Sequence, residues 1–336
     1  MPSWLSWLLT PWLDWIQVEV TTHCNAHCVY CPVTLLRDKW RGRHLSREMF
    51  SRLIPVFRRA RLVYLQGWGE PLLHPDFFEM ARMAHYCGCH VGVTTNGILL
   101  NDIKASRMVD AGIHFVAFSL AGTNNAQDTI RVGTSLEGVL HAISRLTEAK
   151  SRAGSKFPII HVAYLALRSR LQDVRELPNL LEGLGVAEVI ISSLDYVLDP
   201  KLETEVIRPQ TREEAEQLRE LFSRVAREGR RRNLRVYARF PSVDELLGPC
   251  PENVGRAAVV SAAGEVFPCV FLNQPNPRSG DYYSMLGPRG FGNIGELSFA
   301  DIWRSTPYRS FRQAHEKGLY PSLCQGCPKL SLQDYY

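Results

Sequence analysis

The sequence predicts an α/β protein, a partial (β/α)6, TIM-like barrel followed by a small C-terminal domain, and three observations carry that expectation. Short β-type runs alternate with helical segments through the first 195 residues, the mark of a parallel sheet wound by right-handed crossovers. Residues 246–336 differ, being rich in Gly, Pro and aromatics with little helical periodicity. Seven of the nine cysteines fall into two groups, one directly after the first β-run and one in that C-terminal stretch.

Taken in order, β-type runs at 16–20, 62–65, 91–95, 114–118, 159–166 and 189–192 alternate with helical segments at 47–57, 75–86, 101–111, 136–149 and 171–184. Six such units suit a partial barrel rather than eight-fold closure, and chemistry in such barrels sits at the C-terminal ends of the strands. The expected organisation is a Trp-rich segment at 1–15, a core barrel at 16–195, a linker and charged helix at 196–245, and the small domain at 246–336. Small domains of that composition often need metal to hold them folded.

Composition narrows the class. A hydrophobic share of 45% and a charged share of 22% over 336 residues describe an ordinary globular chain. The formal charge of +5 is mild, and argues against a nucleic-acid partner. An odd cysteine count without a signal-peptide pattern argues against a secreted disulfide framework and for the cytoplasm. The opening MPSWLSWLLTPWLDW has no basic n-region, and Pro11 interrupts its apolar run. It reads as a short cap over the barrel. Tryptophan also suits a peripheral membrane contact, against which the missing Lys and Arg count.

After the first run the chain reads VEVTTHCNAHCVYCP, placing Cys24, Cys28 and Cys31 in the spacing CxxxCxxC. Three thiolates this close can ligate three irons of a cubane and leave the fourth open. A zinc reading requires a fourth ligand, for which His23 or His27 is available. Further short segments follow at successive strand ends: Gln66-Gly67-Trp68-Gly69-Glu70-Pro71, then Thr94-Thr95-Asn96-Gly97, then Ser119-Leu120-Ala121-Gly122 with Arg131 beyond.

Together these resemble the radical S-adenosylmethionine (SAM) superfamily. The resemblance implies a [4Fe–4S] cluster on Cys24, Cys28 and Cys31 whose open iron binds SAM. It implies reductive cleavage of SAM to a 5′-deoxyadenosyl radical that abstracts hydrogen from a substrate. Tyr30, Gln66, Gly67, Gly69, Glu70, Thr95, Asn96, Ser119 and Arg131 take the positions that line the SAM pocket in that family. Trp68 replaces the first glycine of the GGEP motif, and Ala121 departs from the common SLDG.

In the C-terminal stretch, Cys250, Cys269 in GEVFPC, and Cys324-Gln325-Gly326-Cys327 resemble the SPASM/Twitch extension. Four cysteines match its shorter Twitch form, which holds one auxiliary [4Fe–4S] cluster. A Cys₄ zinc site has the same ligands. The implied chemistry is a radical SAM oxidoreductase or maturase. It would modify a small molecule or peptide oxidatively, with the auxiliary cluster as electron acceptor and a flavodoxin or ferredoxin as low-potential donor. The alternatives are a redox-neutral epimerase or coupling enzyme, and an iron–sulfur electron carrier or scaffold. Three features are set aside: Cys87 and Cys89 around a helix-ending Gly88, the Arg230–Arg232 run as a solvated helix end, and Asp195, Tyr196 and Asp199 as an exposed loop.

Overall fold

The computed structural model describes residues 12–243, 250–273, 290–325 and 327–335; most of the Trp-rich segment lies outside them. One ten-stranded sheet organises the chain. Its strands are β1 (Leu13–Val18), β2 (Ala60–Leu65), β3 (His90–Thr95), β4 (Phe115–Leu120), β5 (Ile159–Leu165), β6 (Val186–Ser192), β7 (Arg235–Pro241), β8 (Ala257–Val260), β9 (Val266–Phe267) and β10 (Leu332–Tyr335). The spatial order is β9-β8-β1-β2-β3-β4-β5-β6-β7-β10, open at both ends. From β8 through β7 every neighbouring pair is parallel. Antiparallel strands close the two edges, β9 on β8 and β10 on β7.

The six predicted strands are β1 to β6, in chain order across the sheet, but the sheet is wider than six units. β7 comes from the stretch read as linker, and β8 from the C-terminal stretch pairs directly with β1, Trp15 opposite Ala257. Its sequence, AAVV, is too short and too plain to announce a buried central strand. β1 also starts at Leu13, so Trp15 belongs to the sheet rather than to the segment before it.

Two helices differ from expectation, and proline explains both. The segment at 47–57 splits into α1 (Arg47–Ser51) and α2 (Ile54–Phe57), with Pro55 opening the second. A 3₁₀ stretch (Arg168–Glu176) and α3 (Leu177–Leu180), with Pro178 in its first turn, replace the helix at 171–184. Proline has no N–H for the preceding turn but suits a helix start. The other predicted helices form at Phe77–His85, Asp102–Asp110, Leu136–Arg152 and Arg212–Arg231, and the C-terminal stretch, read as having little helical periodicity, adds two more at Phe299–Arg304 and Thr306–Glu316.

Burial alternates along the strands. In β5, Ile160, Val162 and Tyr164 are buried under the helices, while His161, Ala163 and Leu165 face the lumen half-exposed. Three rings pack together across the strands, Tyr64 tilted against Phe115 and Phe115 stacked on His161, each pair 5.4 Å apart. Below them Arg235 Nε donates to Glu188 at 2.9 Å. Among the described residues no helix is long and apolar enough to cross a membrane.

Candidate active site

The cysteine loop leaves β1 at the C-terminal edge of the sheet, where two neighbours hold it. His27–Cys28 pairs antiparallel with Arg131–Val132, and the Val29 amide donates to the Ile130 carbonyl at 3.0 Å. Cys28 is buried and Cys24 and Cys31 half-buried. Burial pushes the Cys24 thiol up to about 11 and the Cys31 thiol up to about 12; the neighbouring sulfurs add to both shifts. The backbone brings these three sulfurs together.

Arg131 lies against that loop. Its Nη1 donates to the Tyr30 hydroxyl at 2.5 Å, while its Nε is buried without a partner. Burial works against the guanidinium charge, but Tyr30 and the Cys28 and Cys31 sulfurs more than offset it and hold its pKa above the usual arginine value. An unspent donor beside three thiols fits a bound anion next to a cluster, such as the carboxylate of SAM.

The GWGEP loop presses on the start of the cysteine loop. A Cβ at Gly69 would lie 2.3 Å from the Thr21 carbonyl oxygen, and one at Gly67 would lie 2.3 Å from Glu19 Cγ. Only glycine allows that approach. The Glu70 amide donates to the His23 carbonyl at 2.8 Å. Its buried carboxylate accepts from Leu72 N at 3.1 Å, Thr95 Oγ1 at 2.7 Å and Asn96 N at 2.7 Å. Burial raises the Glu70 pKa, with those hydrogen bonds and Arg131 opposing. Asn96 Nδ2 in turn donates to Asn25 Oδ1 at 2.8 Å. Glu70, Thr95 and Asn96 thus spend their polar atoms tying three strand ends together. Gln66 Nε2 donates to Gln17 Oε1 at 3.1 Å, and Ser119, next to last in β4, is half-buried.

Glu19, Asn273 and Gln127, which belong to no motif, organise the same region. Glu19, 2% exposed, accepts from Trp68 N at 2.9 Å, Ala262 N at 3.2 Å and Asn273 Nδ2 at 3.1 Å. Trp68 Nε1 donates to the Asn273 carbonyl at 2.7 Å, so the residue that breaks the GGEP pattern bridges to the C-terminal stretch. Gln127 is fully buried, accepting from Ala121 N at 2.7 Å and donating to Thr134 at 3.2 Å. It locks the SLAG turn to the Arg131 hairpin. The one signal in the sequence was an acidic residue, Glu19, inside an apolar run.

The C-terminal cysteines also come together. Cys250 acts electrostatically on Cys269 and Cys324, and Cys327 on Cys250 and Cys324. Burial raises all four thiols, Cys250 to about 11 and Cys324 to about 12. His315 Nε2 lies 3.3 Å from the Cys324 sulfur. Among the described residues no three His, Cys, Asp or Glu side chains converge on one single-ion position. Cys87 and Cys89 stand apart, donating to the Met83 and Ala84 carbonyls.

Known proteins match this architecture. The radical SAM superfamily profile matches residues 18–165, and that of an iron–sulfur cluster-binding domain, SPASM, matches residues 250–328. A tungsten-containing aldehyde ferredoxin oxidoreductase cofactor-modifying protein of Pyrococcus furiosus is 27% identical, the match covering 96% of this chain and 88% of that one. A PqqA peptide cyclase of Streptomyces rochei is 24% identical over 93% of this chain and 80% of that one. The crystal structure of Streptococcus suis SuiB bound to S-adenosylmethionine superposes with a TM-score of 0.68 at 14% identity, covering 95% of this chain and 72% of that chain. The cofactors that follow are SAM, a [4Fe–4S] cluster and an auxiliary iron–sulfur cluster. The chain is a radical SAM superfamily enzyme with a SPASM-type iron–sulfur domain at its C-terminal end.

Proposed function

We propose that the enzyme oxidatively modifies a peptide or a cofactor-like small molecule, as an oxidoreductase or maturase, with the auxiliary cluster as electron acceptor. Bound together, the first cluster and SAM supply a radical that removes a hydrogen atom from the substrate. Cys24, Cys28 and Cys31 would hold that cluster. Arg131, aimed by Tyr30, would bind the SAM carboxylate, and Ser119 would contribute to the same pocket. Gly67 and Gly69 bring the backbone close to the methionine end, and Glu70, Thr95 and Asn96 keep the loop walls in place. Cys250, Cys269, Cys324 and Cys327 would hold the auxiliary cluster, which would supply electron transfer.

The observation that carries the reading is the Glu19–Trp68–Asn273 link, which fastens the SAM-pocket loop to the chain just beyond Cys269. The names of the relatives support the substrate class: one modifies a cofactor and the other cyclises a peptide. The cytoplasm, and a flavodoxin or ferredoxin as electron donor, complete the proposal.

The test is anaerobic reconstitution of wild type and a Cys24/Cys28/Cys31→Ala variant with iron and sulfide. About eight irons should fall to about four, with loss of 5′-deoxyadenosine formation. About four irons falling to none would leave the C-terminal cysteines without a cluster and refute the acceptor role. Solvent deuterium in the product would replace oxidation with a redox-neutral reaction.

A further inference from the structure

The outer ligand loops of the C-terminal site share a pattern: Cys250-Pro251-Glu252 and Cys327-Pro328-Lys329. In each, the third residue carries a charge, negative at Glu252 and positive at Lys329. Their side chains then meet, Lys329 Nζ lying 2.9 Å from Glu252 Oε1. The same ammonium lies 3.8 Å from Asp195 Oδ2 and 5.0 Å from the ring centre of Phe271, two residues past Cys269. The three charged side chains are mostly buried, 12% exposed at Asp195, 16% at Glu252 and 20% at Lys329. Asp195 Oδ1 is buried with no partner. All three line one cleft of about 490 Å³ beside β6 and β7, with Ile190 and Tyr237 on its wall.

A buried cation beside a cluster favours the more negative, reduced form, and a buried carboxylate disfavours it; weak screening makes both effects large. Lys329 stands two residues after Cys327 and Glu252 two residues after Cys250, so charges of opposite sign flank the site. With Glu252 Oε1 at 2.9 Å and Asp195 Oδ2 at 3.8 Å, the Lys329 ammonium sits between two carboxylates that favour its charged form.

Resting on the reading of these four cysteines as an auxiliary cluster, we propose that Lys329 is a positioning residue that raises the reduction potential of that cluster, with Glu252 and Asp195 lowering it. The triad then sets how readily the cluster accepts an electron, at the wall of the cleft.

The experiment is a potentiometric titration followed by electron paramagnetic resonance. It uses the full chain carrying the Cys24/Cys28/Cys31→Ala background, so that only the auxiliary cluster contributes. Lys329→Met should lower the reduced-to-oxidised ratio at fixed potential about tenfold, ~59 mV for one electron. Lys329→Arg should stay within about twofold. Glu252→Gln and Asp195→Asn should shift the ratio upward. A merely structural tie predicts that Lys329→Met and Glu252→Gln move it the same way, and that result overturns the proposal, as does no shift at full iron content. If Lys329→Met does not load iron, Asp195→Asn decides, and an unmoved or lowered potential overturns it. Failure of the underlying reading looks different: the background variant with Lys329 intact then holds no iron.

Discussion

Replacing Glu19 with alanine tests the link between the two halves of the site. The change strands three donors: the Trp68 amide at 2.9 Å, the Ala262 amide at 3.2 Å and the Asn273 side-chain amide at 3.1 Å. A buried donor left unpaired costs about 1–3 kcal/mol. Relief of carboxylate burial and water entering the vacated space offset part of the total, leaving a net loss of about 3 kcal/mol. An unfolding entropy of about 2.1 cal/mol/K per residue turns that into a Tm drop of roughly 4 °C for a chain of 336 residues. Burial raises the Glu19 pKa. Its stabilising contribution is therefore fully present below the unfolded carboxyl pKa and is lost as pH rises through the raised folded value. The deficit of E19A should accordingly narrow toward alkaline pH. Anaerobic thermal unfolding of the reconstituted enzyme reads the drop, and hydrogen exchange at 66–70 and 261–263 reads the freed amides. A Tm within about 1 °C of wild type, with exchange protection unchanged at both segments, would refute the link.

The other predictions concern the SAM pocket and the bridge. Gly69→Ala places a Cβ 2.3 Å from a backbone oxygen that cannot yield; equilibrium dialysis of the reconstituted enzyme should show SAM affinity down about tenfold or more. Arg131→Lys removes the buried Nε and the planar fork, so SAM affinity should fall about tenfold while iron content stays at the wild-type level. Trp68→Phe deletes the donor to the Asn273 carbonyl; a loss of about 1 kcal/mol should appear in thermal unfolding, with faster proteolysis around residue 273. Cys327→Ala should lower iron from about eight to about four and destabilise the C-terminal stretch, read by iron assay and limited proteolysis.

The sequence by itself determined the cofactor chemistry. CxxxCxxC, GWGEP, TTNG and the C-terminal cysteines are local patterns, and thiolate spacing along a short loop limits which metal group it can hold. It also determined the order of the first six strands, since alternating periodicity is written residue by residue. Tertiary structure alone decided what lies between distant segments. Glu19 meets Ala262 and Asn273 across 243 and 254 residues of chain, and Lys329 meets Asp195 across a cleft. A carboxylate in a sequence does not reveal whether it will be buried, because burial is set by whatever packs over it. The same reason turned Glu70 and Thr95 toward each other. It also brought β8, four unremarkable residues, into the sheet beside β1.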